Sequence, residues 1–310
     1  MKSQNPNPDS FETPSTRFRS GFVGLIGWTN VGKSTLVNRL TGMKIAITAD
    51  SPQTTRHRLV GIIQSETYQI ALTDTPGIHR PRNELSNRML NTTWGTIREM
   101  DLLVWMVFPD RSVDKQIGIF TDHLAGSPVP LIIAVNKIDT VPKETIIPLM
   151  DQLYQRIEPR AILPISAVTG ENLTRLVDLL IENVPEGDPM YPMDQVTDQP
   201  ERIIAAEYIR EKVIENTYQE MPHVVAVEIE HFKQSDNRID IAATIHVEKK
   251  SQKGIIIGAG GAMIKKIGTD ARMLIAAFLD SKVDLQLWVK VSPRWRSDPV
   301  RLKQMGFGGV

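Results

Sequence analysis

An eight-residue segment near the start of the chain has the composition of a phosphate-binding loop. Residues 27–34 read Gly-Trp-Thr-Asn-Val-Gly-Lys-Ser, the pattern GxxxxGK[ST], between an apolar run at 22–26 and a helical repeat at 34–40. In such a strand, loop and helix, backbone N–H groups face phosphates, the lysine adds a charge and the serine hydroxyl binds Mg²⁺. A chance glycine-rich turn is the alternative, which the flanks disfavour. The residues assigned here to nucleotide binding are Gly27, Trp28, Thr29, Asn30, Val31, Gly32, Lys33, Ser34 and Thr35.

A second motif follows the apolar run at 68–72. It is the tetrapeptide DxxG, with an aspartate at the end of a predicted strand, where its carboxylate can reach Mg²⁺ and the glycine N–H can contact a γ-phosphate. A solvated turn aspartate is the alternative, and the tetrapeptide alone does not decide between them. The residues assigned to the nucleotide site from this segment are Asp74, Thr75, Pro76, Gly77 and Ile78.

A third motif predicts which base is bound. Residues 136–139 follow the apolar run 131–135 and read NKxD, with Asp139 as the last residue. A carboxylate there can accept two N–H bonds from guanine, whereas adenine offers no such paired donors. After a further run at 161–165, a backbone N–H is expected near guanine O6. An Asx turn is the alternative for NKxD, but the three motifs in this order make it improbable. The residues assigned from these two segments are Asn136, Lys137, Ile138, Asp139, Ser166 and Ala167.

The ordered motifs resemble the translation-factor class of P-loop GTPases, with GTP, GDP and Mg²⁺ as ligands. The resemblance places a first switch at 52–57, where Thr55, favoured over Thr54, completes the magnesium shell with Ser34 and Asp74. It assigns catalytic roles to Lys33, Thr55 and Gly77.

The residue after DxxG bears on the rate of hydrolysis. Ras-like enzymes have a water-orienting glutamine there, but this chain has Ile78, whose side chain cannot hydrogen-bond. Slow intrinsic hydrolysis is therefore expected. His79 is an alternative base, although a lone loop histidine is more often solvated. Asn30 resembles the asparagine with which some GTPases lacking the glutamine hold K⁺, so K⁺ stimulation is a hypothesis.

A separate set of glycines and lysines predicts an RNA-binding module in the last third of the chain. The segment 255–268 reads IIIGAGGAMIKKIG, which matches the GxxG loop and flanks of a KH domain. A structural turn, a dinucleotide loop and a helix-dimer contact are the alternatives. Trp288 and Trp295 could stack on bases, although for Trp288, which lies in a predicted strand, core or edge packing is an equal alternative. The residues assigned to RNA are Gly258, Ala259, Gly260, Gly261, Lys265, Lys266 and Arg272.

Charge distribution supports a polyanionic partner for this module only. The whole chain balances 36 Lys and Arg against 36 Asp and Glu, but residues 251–310 carry ten basic and four acidic residues, a net of +6. The absence of cysteine excludes disulfides and thiolate metal sites. The longest apolar runs are far shorter than the roughly 20 residues that span a bilayer.

The alternation of apolar runs and helical repeats predicts two folded units. The fold class expected is α/β, a P-loop GTPase domain with a mostly parallel sheet and helices on both faces, plus a small α+β type II KH domain. Four prolines between 185 and 200 mark the linker, within which Asp198 is a candidate cap for the helix that follows. The boundaries expected are a disordered tail at 1–20, the G domain at 21–186, a linker at 187–200 and the KH domain with its basic segment at 201–310.

Across about residues 20–305, the chain resembles the Era family of bacterial ribosome-assembly GTPases. The resemblance rests on GxxNxGKS, QTTRH, DTPGIHRPRNEL, NKID, the acidic proline linker and a KH module ending WVKVxxxW. It implies GTP-dependent binding near the 3′ end of 16S ribosomal RNA, assembly of the 30S subunit, a cytoplasmic monomer, and peripheral association with the inner face of the cell membrane. Departures from the family pattern are Trp28-Thr29 in the loop and Phe108-Pro109-Asp110 after a strand.

Two other functions compete with this one. Related GTPases act in tRNA modification or large-subunit assembly, but a second G domain or a C-terminal cysteine motif would mark them, and these 310 residues contain neither. An RNA-binding scaffold with a vestigial nucleotide site is the third possibility, and it would bind nucleotide without turnover.

Overall fold

The structure is a computed structural model that describes residues 17–48, 55–56, 58–78, 83–109, 113–124, 127–217, 221–305 and 307. The described residues form two sheets, one of six strands and one of three. The predicted tail lies largely outside the described residues, as do Thr54 and His79.

The six-stranded sheet carries the predicted nucleotide motifs at the ends of its strands. Its strands are β1 (Arg19–Gly27), β2 (Leu59–Gln64), β3 (Tyr68–Asp74), β4 (Leu102–Val107), β5 (Leu131–Val135) and β6 (Ala161–Pro164). The order is β2-β3-β1-β4-β5-β6, and β2 alone is antiparallel to its neighbour. Because parallel strands end at the same edge, the loops after β1, β3, β5 and β6 meet there.

Helices cover both faces of this sheet, which explains why its central strands read as continuous apolar runs. The helices are α1 (Lys33–Thr41), α2 (Glu84–Ile97), α3 (Val113–Leu124), α4 (Ile146–Ile157) and α5 (Leu173–Asn183). Leu36 of α1 and Leu180 of α5 join one core cluster. Ile97 of α2, Phe120 of α3 and Leu153 of α4 join the other. The predicted α/β architecture is confirmed, whereas β2, α4 and α5 were not identified from the sequence.

The proline-rich segment after α5 runs along the edge of this sheet at β2. Ile62 N–H donates to Val196 O at 2.9 Å, and Gln69 Oε1 accepts the N–H groups of Met190 and Tyr191 at 2.6 and 2.8 Å. Asp198 is not a helix cap. The next helix begins at Glu201, and its N-cap residue is Pro200, which makes no side-chain capping hydrogen bond.

The second sheet belongs to the predicted α+β unit. Its elements in chain order are α6 (Glu201–Asn216), α7 (Met221–Val224), β7 (Ala226–Ser235), β8 (Arg238–Val247), α8 (Lys250–Ile257), α9 (Ala262–Leu279), β9 (Lys282–Val291) and α10 (Pro299–Gln304). β7 and β8 are antiparallel, whereas β8 and β9 are parallel. Ile209, Ile245 and Ile275 share one buried core between the helices and the sheet. The predicted small α+β unit is confirmed.

Candidate nucleotide and RNA sites

Two glycines shape the loop between β1 and α1. Gly27 has φ 150° and Gly32 has φ 105°, backbone conformations that other residues rarely adopt. A Cβ atom at Gly27 would lie 2.5 Å from Met106 O, and one at Gly32 would lie 2.3 Å from Asn136 Nδ2. The loop can therefore close only with glycine at both positions.

Lys33 is buried beneath this loop. Its Nζ donates to Gly27 O at 3.2 Å and to Trp28 O at 3.1 Å. Burial lowers the pKa of Lys33, and the nearby Asp74 carboxylate opposes that shift. The loop thus holds an ammonium group where the backbone N–H groups at the start of α1 also favour an anion.

Three oxygen-bearing side chains converge beside Lys33. Ser34 Oγ donates to Asp74 Oδ2 at 2.6 Å, Thr55 Oγ1 donates to the same oxygen at 3.2 Å, and the two hydroxyls lie 2.9 Å apart. The other carboxylate oxygen, Asp74 Oδ1, is buried and has no hydrogen-bond partner among the described residues. Burial raises the pKa of Asp74, while Lys33 and the hydrogen bonds from Ser34 and Thr55 lower it. All three predicted metal ligands are therefore brought together.

The residues of DxxG pack directly on the phosphate loop. Ile78 N–H donates to Gly27 O at 3.1 Å, and a Cβ atom at Gly77 would lie 2.8 Å from Thr29 Cα. Thr75 Oγ1 donates to Leu25 O at 2.8 Å, and Thr93 Oγ1 of α2 donates to Pro76 O at 3.2 Å. The segment is thereby placed with the loop, as predicted.

Asn136 connects two loops inside the protein. Its Nδ2 donates to Val31 O at 2.8 Å and its Oδ1 accepts Ala167 N–H at 2.9 Å. Ser166 N–H donates to Glu171 O at 3.1 Å. One backbone N–H of Ser166 or Ala167 is expected near guanine O6, but both N–H groups have protein acceptors, with which a bound base would compete. Of the NKxD residues, Asp139 has an exposed carboxylate, at the short 3-10 helix Ile138–Thr140.

The GxxG loop separates α8 from α9 and is exposed. Gly258, Gly260 and Gly261 have φ values of 73°, 58° and 81°. A Cβ atom at Gly258 would lie 2.6 Å from Met263 Cβ, whereas one at Gly260 or Gly261 would meet nothing within 4 Å. The first glycine is thus required by packing, and the other two leave the loop surface open to a ligand backbone.

The basic residues assigned to RNA do not form one cluster. Lys265 is exposed in the first turn of α9, and Lys266 donates to Asn216 Oδ1. Arg272 lies ten positions into α9, about 15 Å along the helix from the loop, in a cleft with Arg238 and Lys282.

The two tryptophans have different environments. Trp295 is fully buried and its Nε1 donates to Val224 O at 2.9 Å, so the prediction that it could stack on bases is wrong. Trp288 is 49% exposed on β9, an edge strand of the second sheet.

Comparison with known proteins identifies the family. Residues 22–137 match the family described as 50S ribosome-binding GTPase, and residues 220–296 match the KH domain. A solved structure of Aquifex aeolicus Era, bound to GDP and AlF4−, has a TM-score of 0.91 and 35% identity over 94% of this chain and all of that one. This chain belongs to the Era family. A second Era structure, in complex with MgGDPNP and nucleotides 1506–1542 of 16S ribosomal RNA, gives the same TM-score, identity and coverage.

The structure also places Trp28 and Phe108 among the departures from the usual Era sequence, whereas Asp110 lies outside the described residues. The backbone of Trp28 forms an isolated parallel β-bridge with that of Ile78. The indole Nε1 of Trp28 is buried without a hydrogen-bond partner among the described residues. Phe108 lies beneath Lys137, whose Nζ is 5.0 Å from the ring centroid. Lys137 has φ 65° at the turn before Asp139. Sequence reasoning missed this cation–π contact, although an aromatic residue directly after a buried strand was visible.

Proposed function

We propose that this Era-family protein binds GTP with Mg²⁺, hydrolyses it slowly, and couples that cycle to binding of 16S ribosomal RNA near its 3′ end during assembly of the 30S subunit. The observation that carries the nucleotide part is the convergence of Ser34, Thr55 and Asp74 beside the buried ammonium of Lys33. The two Era structures, bound to GDP with AlF4− and to MgGDPNP with 16S RNA, support extending it to this chain.

The side chains present fit a magnesium ion. Mg²⁺ prefers hard oxygen ligands, and Ser34, Thr55 and Asp74 offer two hydroxyls and a carboxylate. Asp74 Oδ1 is buried and unpaired among the described residues, an arrangement that a cation compensates. When bound, the ion neutralises negative charge on the phosphates. Lys33 and the start of α1 add positive potential, so the protein holds the triphosphate by electrostatics already in place.

Asp139 is the residue to which we assign recognition of guanine. Its carboxylate is exposed, whereas both polar atoms of the Asn136 side chain already have partners in the protein. Asn136 therefore contributes by holding together the loop that contains Val31 and the loop that contains Ala167. A carboxylate selects guanine because it accepts two N–H donors at once.

Base selection provides the test. We expect Asp139→Asn to weaken GTP binding and to admit xanthosine triphosphate, because the amide can donate where xanthine carries an oxygen. Asp151→Asn, the same change at an exposed site on α4, should leave base preference unchanged. Calorimetry with both nucleotides in Mg²⁺ measures the result. An unchanged preference in Asp139→Asn would refute the assignment, and wild-type protein that bound no guanine nucleotide would refute the proposed function itself.

Slow hydrolysis follows from the residue after DxxG. The Ile78 side chain is buried and apolar, and its N–H is used by Gly27 O, so it cannot orient a water molecule as the Ras glutamine does. We propose that K⁺ beside Asn30 accelerates the reaction. Asn30 has φ 61° and is exposed at the loop. Equal GTPase rates in NaCl and KCl would remove the K⁺ proposal.

The RNA part of the proposal rests on the open GxxG loop and on the Era structure bound to nucleotides 1506–1542 of 16S RNA. The description of the matched GTPase family names the 50S subunit instead. Crosslinking in cells, with sequencing of the bound RNA, separates the two. Recovery of the 3′ end of 16S RNA supports the proposal, and recovery of 23S RNA alone would overturn it. Nucleotide binding without turnover, even with 30S particles present, would favour a scaffold.

Two further predictions concern where and in what form the protein acts. We propose a monomer that is cytoplasmic and in part peripherally associated with the inner face of the cell membrane. Among the described residues, no helix is long and apolar enough to cross a bilayer. Fractionation of cells with and without a high-salt wash tests the membrane association, and light scattering of the purified chain tests the monomer.

A further inference from the structure

Two adjacent residues of the chain face two different domains. Thr55 Oγ1 contacts Asp74 Oδ2 at 3.2 Å and Ser34 Oγ at 2.9 Å, within the candidate magnesium site. The next side chain, Arg56, donates to Val225 O at 2.6 Å and to Pro222 O at 2.8 Å, both in the C-terminal domain. Because neighbouring Cα atoms are only about 3.8 Å apart, a backbone shift that moves one of these residues also moves the other.

The partners of Arg56 are carbonyl groups at the end of the short helix α7. Such carbonyls lack intrahelical partners and need donors. Arg56 supplies donors to Pro222 O and Val225 O, and Trp295 Nε1 supplies one to Val224 O. The guanidinium carbon of Arg56 also lies 5.6 Å from the centroid of the Trp295 ring. Arg56 is thus built into the core of the C-terminal domain, although it belongs to the chain segment of the G domain.

The charge of Arg56 is costly to bury, which indicates that its position is specific. Arg56 is only 4% exposed to solvent. Burial lowers the pKa of Arg56 well below its usual value, Arg210 lowers it further and Glu207 opposes both effects. Arg56 Nε is buried without a hydrogen-bond partner among the described residues, so the two carbonyl groups supply the hydrogen bonds that compensate the buried charge, and their loss would be strongly unfavourable.

A second segment ahead of the first switch is also attached to the C-terminal domain. Glu211, fully buried on α6, accepts Thr48 N–H at 2.9 Å and pairs with Lys44 Nζ at 2.6 Å. Tyr208 OH donates to Lys44 O, and Ile47 packs in the core of the C-terminal domain. Residues 44–48 and 55–56 are therefore both held by that domain.

We propose that Arg56 is a positioning residue, which uses the carbonyl groups at the end of α7 as a fixed anchor to hold the Thr55 hydroxyl in the magnesium site. The C-terminal domain thereby completes the GTP site without touching the nucleotide. This inference rests on the proposed function, because it takes Thr55 as a ligand of the magnesium ion bound with GTP. Because linkage between two binding equilibria is reciprocal, any change that stabilises the contact of Arg56 with the end of α7 also strengthens GTP binding.

The test compares Arg56→Gln with Thr55→Ala in the full chain. Affinities for GDPNP and for GDP are measured across a Mg²⁺ titration, together with thermal unfolding. We expect Arg56→Gln to weaken GDPNP about tenfold, the effect of roughly one lost hydrogen bond from a charged donor. It should also raise the Mg²⁺ concentration needed and leave GDP affinity unchanged. The double variant should bind GDPNP no more weakly than Thr55→Ala, because both changes remove the same interaction.

Arg58→Gln is the matched control. Arg58 is two residues further on, and its side chain pairs with Glu99 at 3.7 Å on the surface, an interaction of little energetic weight. It should bind both nucleotides as wild type does. If Arg56→Gln fails to fold, GDPNP and GDP affinities are measured for Arg56→Lys instead, which keeps the charge but has a single donor nitrogen in place of the planar guanidinium.

Three results would overturn the proposal. They are equal weakening of GDPNP and GDP, additive effects of Arg56→Gln and Thr55→Ala, and unchanged GDPNP affinity in a folded Arg56 variant. Each would assign Arg56 to domain packing alone. Failure of the wild-type chain to bind either nucleotide would instead contradict the proposed function.

Discussion

The phosphate loop of the G domain and the GxxG loop of the C-terminal domain share a backbone conformation, but the first loop is closely packed and the second is open to solvent. Each places glycines with positive φ immediately before a helix, at Gly32 before α1 and at Gly261 before α9. Around Gly32 the space is full, because a Cβ atom would lie 2.3 Å from Asn136 Nδ2. Around Gly261 the space is empty within 4 Å.

This difference matches the ligands that we propose for the two loops. A single triphosphate is best held by a closed loop with a buried lysine and fixed oxygen ligands, since these groups need no rearrangement when it binds. An RNA strand instead needs a surface along which its backbone can approach, with charge supplied by exposed lysines. Substitutions of glycine should therefore act through internal packing in the first loop and through the ligand in the second.

The largest effect is expected for Gly32→Ala. The new methyl group would collide with Asn136 Nδ2, and the φ of 105° is unfavourable for alanine. Strain of this kind costs about 1–3 kcal/mol, and displacement of Asn136 would also disturb the loops at 31 and 167. We expect GTP affinity to fall at least about a hundredfold, which is about 2.8 kcal/mol, measured by calorimetry in Mg²⁺.

Gly42→Ala is the control for backbone strain alone. Gly42 ends α1 with φ 69°, and a Cβ atom there meets nothing within 4 Å. It should lower the free energy of unfolding by about 1–2 kcal/mol and leave GTP affinity unchanged. Similar losses of GTP affinity in Gly32→Ala and Gly42→Ala would show that the close packing around Gly32 is not the cause of the loss.

Much of this comparison could be predicted from the sequence, because it depends on local patterns. The residues of GxxxxGKS, DxxG and NKxD occur as contiguous motifs, and the apolar runs at 22–26, 68–72, 131–135 and 161–165 correspond to β1, β3, β5 and β6. The strand β2 was missed because its burial depends on pairing with β3 and on cover from residues 190–197, which lie far away in the chain.

The long-range polar contacts could not be predicted from the sequence. The motif NKxD suggests that Asn136 binds the base, yet its amide bridges Val31 and Ala167, which no local pattern reveals. The burial of Arg56 likewise depends on α7, more than 160 residues away. One indication was present in α6, where Glu211 shares the helical spacing of the apolar Ile204 and Tyr208. A charge on an apolar helix face usually has a buried partner.

The next effect concerns the second loop. Gly260→Asp would place a carboxylate on an open surface that we propose faces RNA phosphates, and aspartate tolerates a φ of 58° comparatively well. RNA affinity should fall at least about tenfold, or 1.4 kcal/mol, while GTP affinity stays intact. Binding of a 3′-terminal 16S fragment by fluorescence anisotropy measures the loss. Gly260→Ala, without the charge, should have a smaller effect, and wild-type affinity in the aspartate variant would exclude the loop from the RNA site.

A smaller effect is expected for the lysines of α9. Lys265 is exposed, whereas Lys266 already donates to Asn216. Lys265→Ala should weaken RNA binding a few-fold and reduce the slope of log affinity against log salt by about 0.7–1. Lys266→Ala should change the slope less, because its ammonium group is drawn toward α6. Titrations at several salt concentrations rank the two, and the opposite order would mean that Lys266 is the phosphate contact.

The smallest effect tests whether the C-terminal domain, despite its open loop, also depends on a buried polar contact. His246 is buried in β8, with Nδ1 2.9 Å from Ser292 Oγ and Nε2 3.0 Å from Glu228 Oε2. Burial lowers the pKa of His246 below its usual 6.5, although Glu228 opposes the shift. Because the unfolded chain then binds the proton more readily, stability should decrease as pH falls through 6.5 toward the lower folded pKa. Thermal unfolding between pH 7.5 and pH 5 should show this decrease in the wild type and in His231→Gln, a change at an exposed histidine of β7, but less of it in His246→Gln. Equal pH dependence in all three chains would show that His246 does not carry it.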